Sequence, residues 1–269
     1  MKIAFIGGGN MARAIVGGLA AKGIRASDLL VVEIDGAARL RLIAEFGVAA
    51  IEGPGAALAE ADVLVFAVKP QQMREAAAAA APFLGDPLVV TIAAGIRAAD
   101  LARWLSRKRI VRAMPNTPAL VHAGITGLYA MPGLGADDRQ AAEDLLAAVG
   151  STLWFEREED LDAVTAVSGS GPAYVFYAME ALEEAARELG LAEGASRSLA
   201  LWTFVGAAKL AIERGEDPAR LRAQVTSKGG TTERALQVME ERGVKAGLVE
   251  GVKAAHERSR ELGEAFGRE

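Results

Sequence analysis

Residues 2–18 read K-I-A-F-I-G-G-G-N-M-A-R-A-I-V-G-G, and this stretch decides the fold. Ile3 to Ile6 is an apolar run too short for a buried helix and followed at once by glycines, which predicts a central β-strand. From Met11 the apolar spacing becomes helical, through Ile15 and Leu19. Between the two, Gly7, Gly9 and Ala12 match the G-x-G-x-x-G/A pattern of a strand that turns directly into a helix. Such a turn has no side chains in the way, so the backbone of Gly7, Gly8, Gly9, Asn10 and Met11 can approach a pyrophosphate at the helix N-terminus. A glycine-rich turn that binds nothing has the same composition, and the turn by itself leaves that alternative open.

Downstream, strand-like apolar runs recur at 29–33, 63–68, 88–93 and 110–114, with helical spacing over 10–22, 36–46, 71–81 and 98–106. This alternation predicts a doubly wound parallel sheet with helices on both faces. Runs at 126–131 and 152–155 flank a helix over 137–149 and extend the sheet edge. The alanine run 76–81 is helical in context, and Pro82 ends it. Beyond the acidic stretch Glu156–Asp160 only helical patterns occur: Pro172 to Gly190, 196–214, a short one from Asp217-Pro218, 231–242 and 244–265. The expected division is an α/β Rossmann-like, dinucleotide-binding domain over 1–158 and an all-helical dimerisation and substrate domain over 159–269. Segments 163–179 and 198–208 contain no charged residue. Helices apolar on every side are buried on every side. The second half is too small to bury several of them alone, so it is expected to pack against a second copy in an obligate dimer.

Composition excludes several classes. The net charge is −5 with no basic run, which argues against a nucleic-acid partner. The absence of cysteine removes disulfides, thiolate catalysis and thiolate metal sites. The two histidines, His122 and His256, lie far apart without ligand spacing, so no metal is expected. The longest uncharged stretch, 113–136, is broken by Pro115, Pro118, Pro132 and four glycines and cannot be a membrane helix. No basic segment followed by a long apolar stretch stands near the N-terminus, and the chain is expected to be cytoplasmic.

The carboxyl ends of the predicted strands collect the candidate binding residues, where open α/β sheets hold ligands. Glu33 ends the second run, with Asp35 close behind. A carboxylate there accepts hydrogen bonds from the adenosine ribose and repels a 2′-phosphate, favouring NADH over NADPH; a solvated acid at a strand end is the alternative. Val68-Lys69-Pro70 and Ala94-Gly95 follow the next two runs, their small residues suiting a nicotinamide ribose laid along the backbone. Asn116, between Pro115 and Pro118, is placed to orient a cofactor or substrate group.

A second glycine turn, Ser227-Lys228-Gly229-Gly230-Thr231-Thr232, precedes a helix with apolar Ala235, Leu236, Val238 and Met239. Bare backbone N–H groups, a helix N-terminus and hydroxyls make an anion site. With the dinucleotide assigned to the first half, the anion belongs to a small substrate, and a carboxylate fits best. A helix start capped by a threonine is the plainer alternative. Ser168-Gly169-Ser170-Gly171-Pro172-Ala173-Tyr174 reads mainly as a tight turn at a crowded interface, with N–H and hydroxyl groups offered to a ligand as the lesser alternative. No proton donor of the kind that ketone reduction needs stands out. A cyclic imine, which arrives protonated as an iminium, needs only a hydride and a hydroxyl to hold its nitrogen.

Together these motifs resemble pyrroline-5-carboxylate reductases, the last enzymes of proline biosynthesis. The resemblance covers the whole chain through G-G-G-N-M-A, A-V-K-P, R-A-M-P-N-T-P-A-L at 112–120, D-A-V-T-A-V-S-G-S-G-P-A-Y at 162–174 and G-G-T-T-E-R-A-L at 229–236. It implies a Rossmann domain, a helical dimerisation domain, dimers often assembled into decamers, and a site completed at the dimer interface. It further implies that Thr232 faces the imine nitrogen, that Gly229, Gly230 and Thr231 offer N–H groups to the substrate carboxylate, and that Val68, Lys69, Ala94 and Asn116 lie near the nicotinamide of NADPH or NADH. Glu33 and Asp35 stand where the family often has small hydroxyl residues, Gly53-Pro54-Gly55 where an asparagine is common, and Lys228 where proline is common.

Two other functions fit parts of the pattern. A β-hydroxyacid dehydrogenase also joins a Rossmann domain to a helical one, but expects a lysine one turn before an asparagine, and no asparagine follows Asn116. A non-enzymatic NAD(P)-sensing dimer would bind cofactor without turnover.

Overall fold

The computed structural model describes residues 1–268. The chain forms two compact units, residues 1–170 together with 254–269, and residues 171–253.

The first unit is built on an eight-stranded sheet. Its strands are β1 (Ile3–Ile6), β2 (Leu29–Val32), β3 (Ala49–Ile51), β4 (Val63–Phe66), β5 (Leu88–Thr91), β6 (Ile110–Met114), β7 (Gly124–Ala130) and β8 (Gly150–Trp154), in the order β3-β2-β1-β4-β5-β6-β7-β8. All neighbours are parallel except β6 and β7. The strand order reverses between β1 and β4, which opens a crevice at their carboxyl ends. Every residue of β1, β4 and β5 is buried, as expected of strands covered on both faces.

Alternate residues feed two cores. Ile3, Phe5, Val31, Val63, Val65 and Val90 pack beneath α1 (Asn10–Ala21), α2 (Gly36–Phe46) and α5 (Ala136–Leu146). Ala4, Ile6, Val32, Leu64, Phe66 and Val89 pack beneath α3 (Met73–Ala80) and α4 (Ala98–Leu105). The alanine run is indeed a covering helix: Ala77 and Ala80 are buried in the second core.

Two elements were not anticipated. β3 is a three-residue edge strand, half exposed and without alternation. The acidic stretch leads into α6 (Asp160–Val164) and a π turn over Thr165–Gly169, held by Ser170 N–H donating to the Thr165 carbonyl at 2.8 Å. The division expected at 158/159 therefore differs from the compact units: residues 159–170 belong to the first unit. The final turns of α11 (Val244–Arg268) belong to it too.

The reason is a buried ionic cluster. Arg112 on β6 and Asp162 on α6 are each 1% exposed. Arg112 Nη1 donates to Glu158 Oε1 at 3.1 Å, and Arg97 Nη2 donates to Asp162 Oδ2 at 2.7 Å. Ser259 Oγ of α11 donates to Asp162 Oδ1 at 2.9 Å. Burial pushes the Arg112 guanidinium below its ordinary range; Glu158 and Asp162 oppose that shift and Arg97 reinforces it. An arginine starts so high that it stays charged at neutral pH, so the acids around it are obligatory partners.

The second unit contains α7 (Gly171–Glu188), α8 (Glu193–Arg214), α9 (Pro218–Gln224), α10 (Thr231–Glu241) and the start of α11. Among its described residues only Ser196 and Ala200 are buried. Tyr177, Trp202 and Ile212 are 76%, 69% and 83% exposed. An apolar surface of this kind is completed by association. Among the described residues no helix is long and apolar enough to cross a membrane.

Candidate active site

The first glycine turn ends β1 and begins α1. Gly7 has φ +98°, and a Cβ there would sit 2.7 Å from the Ala67 carbonyl oxygen, so no other residue fits without moving β4. Gly8 is crowded in the same way by Leu42 and Glu33. A Cβ at Gly9, in contrast, would meet nothing within 4 Å. Gly9 is the N-cap of α1, with no side-chain cap and no acid in the first turn. The turn thus packs tightly on its protein side and offers bare N–H groups of Asn10 and Met11 on the other, a cradle that fits a pyrophosphate.

Glu33 closes this turn. Its Oε2 accepts the Gly8 N–H at 2.7 Å and its Oε1 accepts the Asp35 N–H at 2.8 Å. Asp35 is the N-cap of α2, its Oδ1 accepting the Ala38 N–H at 2.6 Å. Arg39, one turn into α2, donates from Nη1 to the carbonyls of Glu33 and Ile34 at 2.7 and 2.9 Å. Arg39 was not foreseen, although a cation four residues after an acidic N-cap is visible in the sequence.

The other expected residues share this sheet edge. Val68, Lys69 and Pro70 follow β4, with Lys69 exposed. Ala94 and Gly95 follow β5; Ala94 is half-buried, whereas Gly95 is buried against the Phe266 ring. Asn116 follows β6 and is 9% exposed. Its Oδ1 accepts the Ile125 N–H at 3.0 Å and its Nδ2 donates to the Ser168 carbonyl at 3.1 Å. Its amide therefore ties the π turn to the sheet edge, a structural duty that the sequence reading did not assign. The Ser168-Gly169-Ser170 segment packs against the end of β6: a Cβ on Gly169 would lie 2.7 Å from Met114 Cε.

The second glycine turn, within the second unit, differs from expectation in its donors. Gly229 has φ +73°, and its N–H donates to Glu233 Oε2 at 2.7 Å. Gly230 N–H donates to the Ser227 carbonyl at 3.0 Å. Both glycine N–H groups are therefore engaged within the loop. The N-cap of α10 is Gly230, not a threonine, and it carries no side-chain cap. The first bond of the helix is Arg234 N–H to the Gly230 carbonyl at 3.2 Å, which leaves the N–H groups of Thr231, Thr232 and Glu233 before it. Glu233, at the third helical position, reaches back to the N–H of Gly229, one residue before the N-cap. Ser227 and Lys228 are exposed.

The threonine hydroxyls also stand apart. Thr165, Thr203 and Thr226 each donate to the carbonyl four residues earlier, at 2.8, 2.7 and 2.6 Å. Thr232 has Lys228 four residues before it, outside the helix, so this bond is not open to it.

Comparison with known proteins identifies the family. Residues 158–262 match the family model described as pyrroline-5-carboxylate reductase dimerisation, and residues 2–95 match NADP oxidoreductase coenzyme F420-dependent. The chain is 44% identical to the pyrroline-5-carboxylate reductase of Pseudomonas aeruginosa over 99% of its length and 98% of that protein's. A solved pyrroline-5-carboxylate reductase from Coxiella burnetii superposes with a TM-score of 0.92 at 39% identity, covering 97% of this chain and 98% of that one. A Plasmodium falciparum pyrroline carboxylate reductase solved with NADP bound gives 0.85 at 28% identity, covering 98% of each chain. The chain carries the family's dimerisation region, which supports self-association, and it is a nicotinamide-dependent oxidoreductase acting on a cyclic imine. The chain belongs to the pyrroline-5-carboxylate reductase family.

Proposed function

We propose that Thr232 is the catalytic residue of this reductase, that the Gly7–Met11 turn holds the dinucleotide, and that the 227–232 loop holds the imino acid. The observation that supports it most is the start of α10. Three N–H groups precede the first helical bond, and Thr232 has no helical carbonyl to engage its hydroxyl. The substrate carboxylate accepts from the N–H groups of Thr231 to Glu233, in place of the glycines that the family pattern suggests. Thr232 Oγ1 then accepts the iminium N–H. The bound dinucleotide supplies the hydride. The substrate brings its own proton, so the chain contributes chiefly orientation, an effect that reaches roughly 7–11 kcal/mol in well-aligned reactions. Thr232→Ala is expected to lower kcat/KM roughly a hundredfold, the scale of losing one aligned hydrogen bond to the reacting group. A value within a few-fold of the parent overturns the role of Thr232.

We further propose NADH as the preferred cofactor. Backbone donors that would greet a 2′-phosphate already serve carboxylates: Asp35 N–H serves Glu33, and Ala38 N–H serves Asp35. Arg39, one turn into α2, is turned to the carbonyls of Glu33 and Ile34 and to the Glu52 carboxylate. A 2′-phosphate there would meet the carboxylates of Glu33 and Asp35. The NADP in the Plasmodium relative argues the other way, which makes steady-state kinetics with both cofactors decisive. A kcat/KM for NADPH more than about tenfold above that for NADH, a difference of about 1.4 kcal/mol, overturns the preference. The exposed apolar helices of the second unit support an obligate dimer, with a decamer as the next level and the cytoplasm as its compartment. Light scattering across a dilution series tests the assembly.

A further inference from the structure

The last turns of α11 lie along the segment that follows β5. Three close approaches define the contact. A Cβ on Gly95 would come 3.0 Å from Phe266 Cδ2. A Cβ on Gly263 would come 3.2 Å from Arg97 Nε and Nη2, and one on Gly267 would come 2.8 Å from Asp100 Oδ2. Helix and segment meet closely enough that a methyl group at any of these points would require a neighbouring side chain to shift. Polar bonds fix the same contact. Ser259, 5% exposed, donates to the buried Asp162, which also accepts from Arg97. Glu158 accepts the Ala98 N–H at 2.7 Å, and Arg103 Nη2 donates to the Gly267 carbonyl at 3.2 Å. Segment 95–103 is thus clamped at its start, middle and end by residues far away in sequence. Phe266 also packs into the core beneath α3 and α4.

Gly95 explains why such a clamp matters. At φ +76° it adopts a backbone conformation that glycine enters and leaves at little cost. Ile96 anchors one side of the Ala94-Gly95-Ile96 loop in the second core, and the ring of Phe266 packs against Gly95 itself.

We propose that the C-terminal turns of α11, through Phe266 and Ser259, are a positioning element for the cofactor, holding the 94–97 loop in the shape that receives the nicotinamide end. This rests on the assignment of Ala94 to that end. The tests are Phe266→Ala, Phe266→Leu, Ser259→Ala, Ala94→Val and, on the exposed side of the helix, Arg260→Ala. Each is measured for kcat, KM of cofactor and of imino acid, and melting temperature. Phe266→Ala is expected to raise the KM of the cofactor about tenfold, in keeping with the cost of small misplacements. Its kcat and imino-acid KM should stay within about threefold, since neither reports on the loop. Phe266→Leu restores most of the loss, Ser259→Ala gives a smaller shift in the same direction, and Arg260→Ala gives none. If Phe266→Ala lowers the melting temperature but leaves the cofactor KM within twofold, the helix end is merely structural and the proposal fails. Should it not fold, Ser259→Ala decides: a cofactor KM within twofold of the parent with a lowered melting temperature overturns the proposal. Ala94→Val separates the two levels: no change in cofactor KM overturns the assignment of the loop and the proposal with it. A rise for Ala94→Val without one for Phe266→Ala overturns the proposal alone.

Discussion

The molecule has two glycine turns that open helices, and each is closed by a glutamate accepting a glycine N–H at 2.7 Å: Gly8 to Glu33, and Gly229 to Glu233. The likeness ends there. Glu33 comes from a neighbouring strand and reaches a buried turn wedged between β1, β2 and β4. Glu233 comes from the helix that the turn itself begins, and Gly229 is exposed, with nothing within 4 Å of where a Cβ would sit. The first turn is a tertiary object whose shape the sheet dictates; the second is a local capping motif. A rigid cradle suits a large cofactor bound in one pose, whereas a short capped helix start suits a small carboxylate that needs only a few N–H groups.

The comparison is most easily broken at its glycines. Gly7→Ala is expected to abolish measurable cofactor binding and to destabilise the protein by roughly 1–3 kcal/mol, because strain at positive φ adds to a clash with β4. Gly229→Ala carries strain alone, about 1 kcal/mol, and should leave cofactor binding intact. Cofactor titration by fluorescence and a denaturant melt check both; equal losses at the two positions would erase the distinction between tertiary and local turns.

Next in size is Glu33→Ser. On the proposal that Glu33 stands beside the 2′ position, removing its carboxylate should shift the NADPH-to-NADH ratio of kcat/KM by roughly 10- to 100-fold towards NADPH, since like charges at such a site cost a few kcal/mol. Glu233→Gln is expected to act more weakly. The amide oxygen still accepts the Gly229 N–H, but the negative charge near the bound carboxylate is gone, so the imino-acid KM should fall about two- to threefold at low salt. An increase instead would mean that the charge orders the loop.

The smallest effect concerns pH. Burial, with Glu158 and Glu159 adding to it, pushes the Tyr129 phenol above its ordinary range. A raised phenol contributes stability that is fully present below about pH 10 and is lost as the pH rises through its higher folded value. Tyr129→Phe should therefore melt like the parent at neutral pH and fall less steeply above pH 10 in thermal scans.

Much of this was legible in the sequence. Ile3–Ile6, Ile110–Met114 and helix 36–46 match their expected bounds, because buried strands and capped helices announce themselves through composition and punctuation. Strands expected over 63–68 and 88–93 are real but shorter, their last residues turning into the loops that carry Val68 and Ala94. β3 escaped notice since Ala49-Ala50-Ile51 is too short to show a period. The 158/159 division followed a change in residue type, yet Glu158 and Asp162 are anchors of the first unit, because an acid that pairs with a buried arginine looks the same in sequence as a solvated one.

The sequence by itself determined the two units' fold classes, the family, and the two turns where ligands are expected, since each is encoded by periodicity or by glycines within a dozen residues. Only the tertiary structure decided which groups those turns present. Glu33 on Gly8, Ser259 on Asp162 and Arg103 on Gly267 join residues 25, 97 and 164 positions apart. Bonds of that span depend on how sheet and helices pack, and a hydrogen-bonding group shows no local sign of the partner that packing will bring to it.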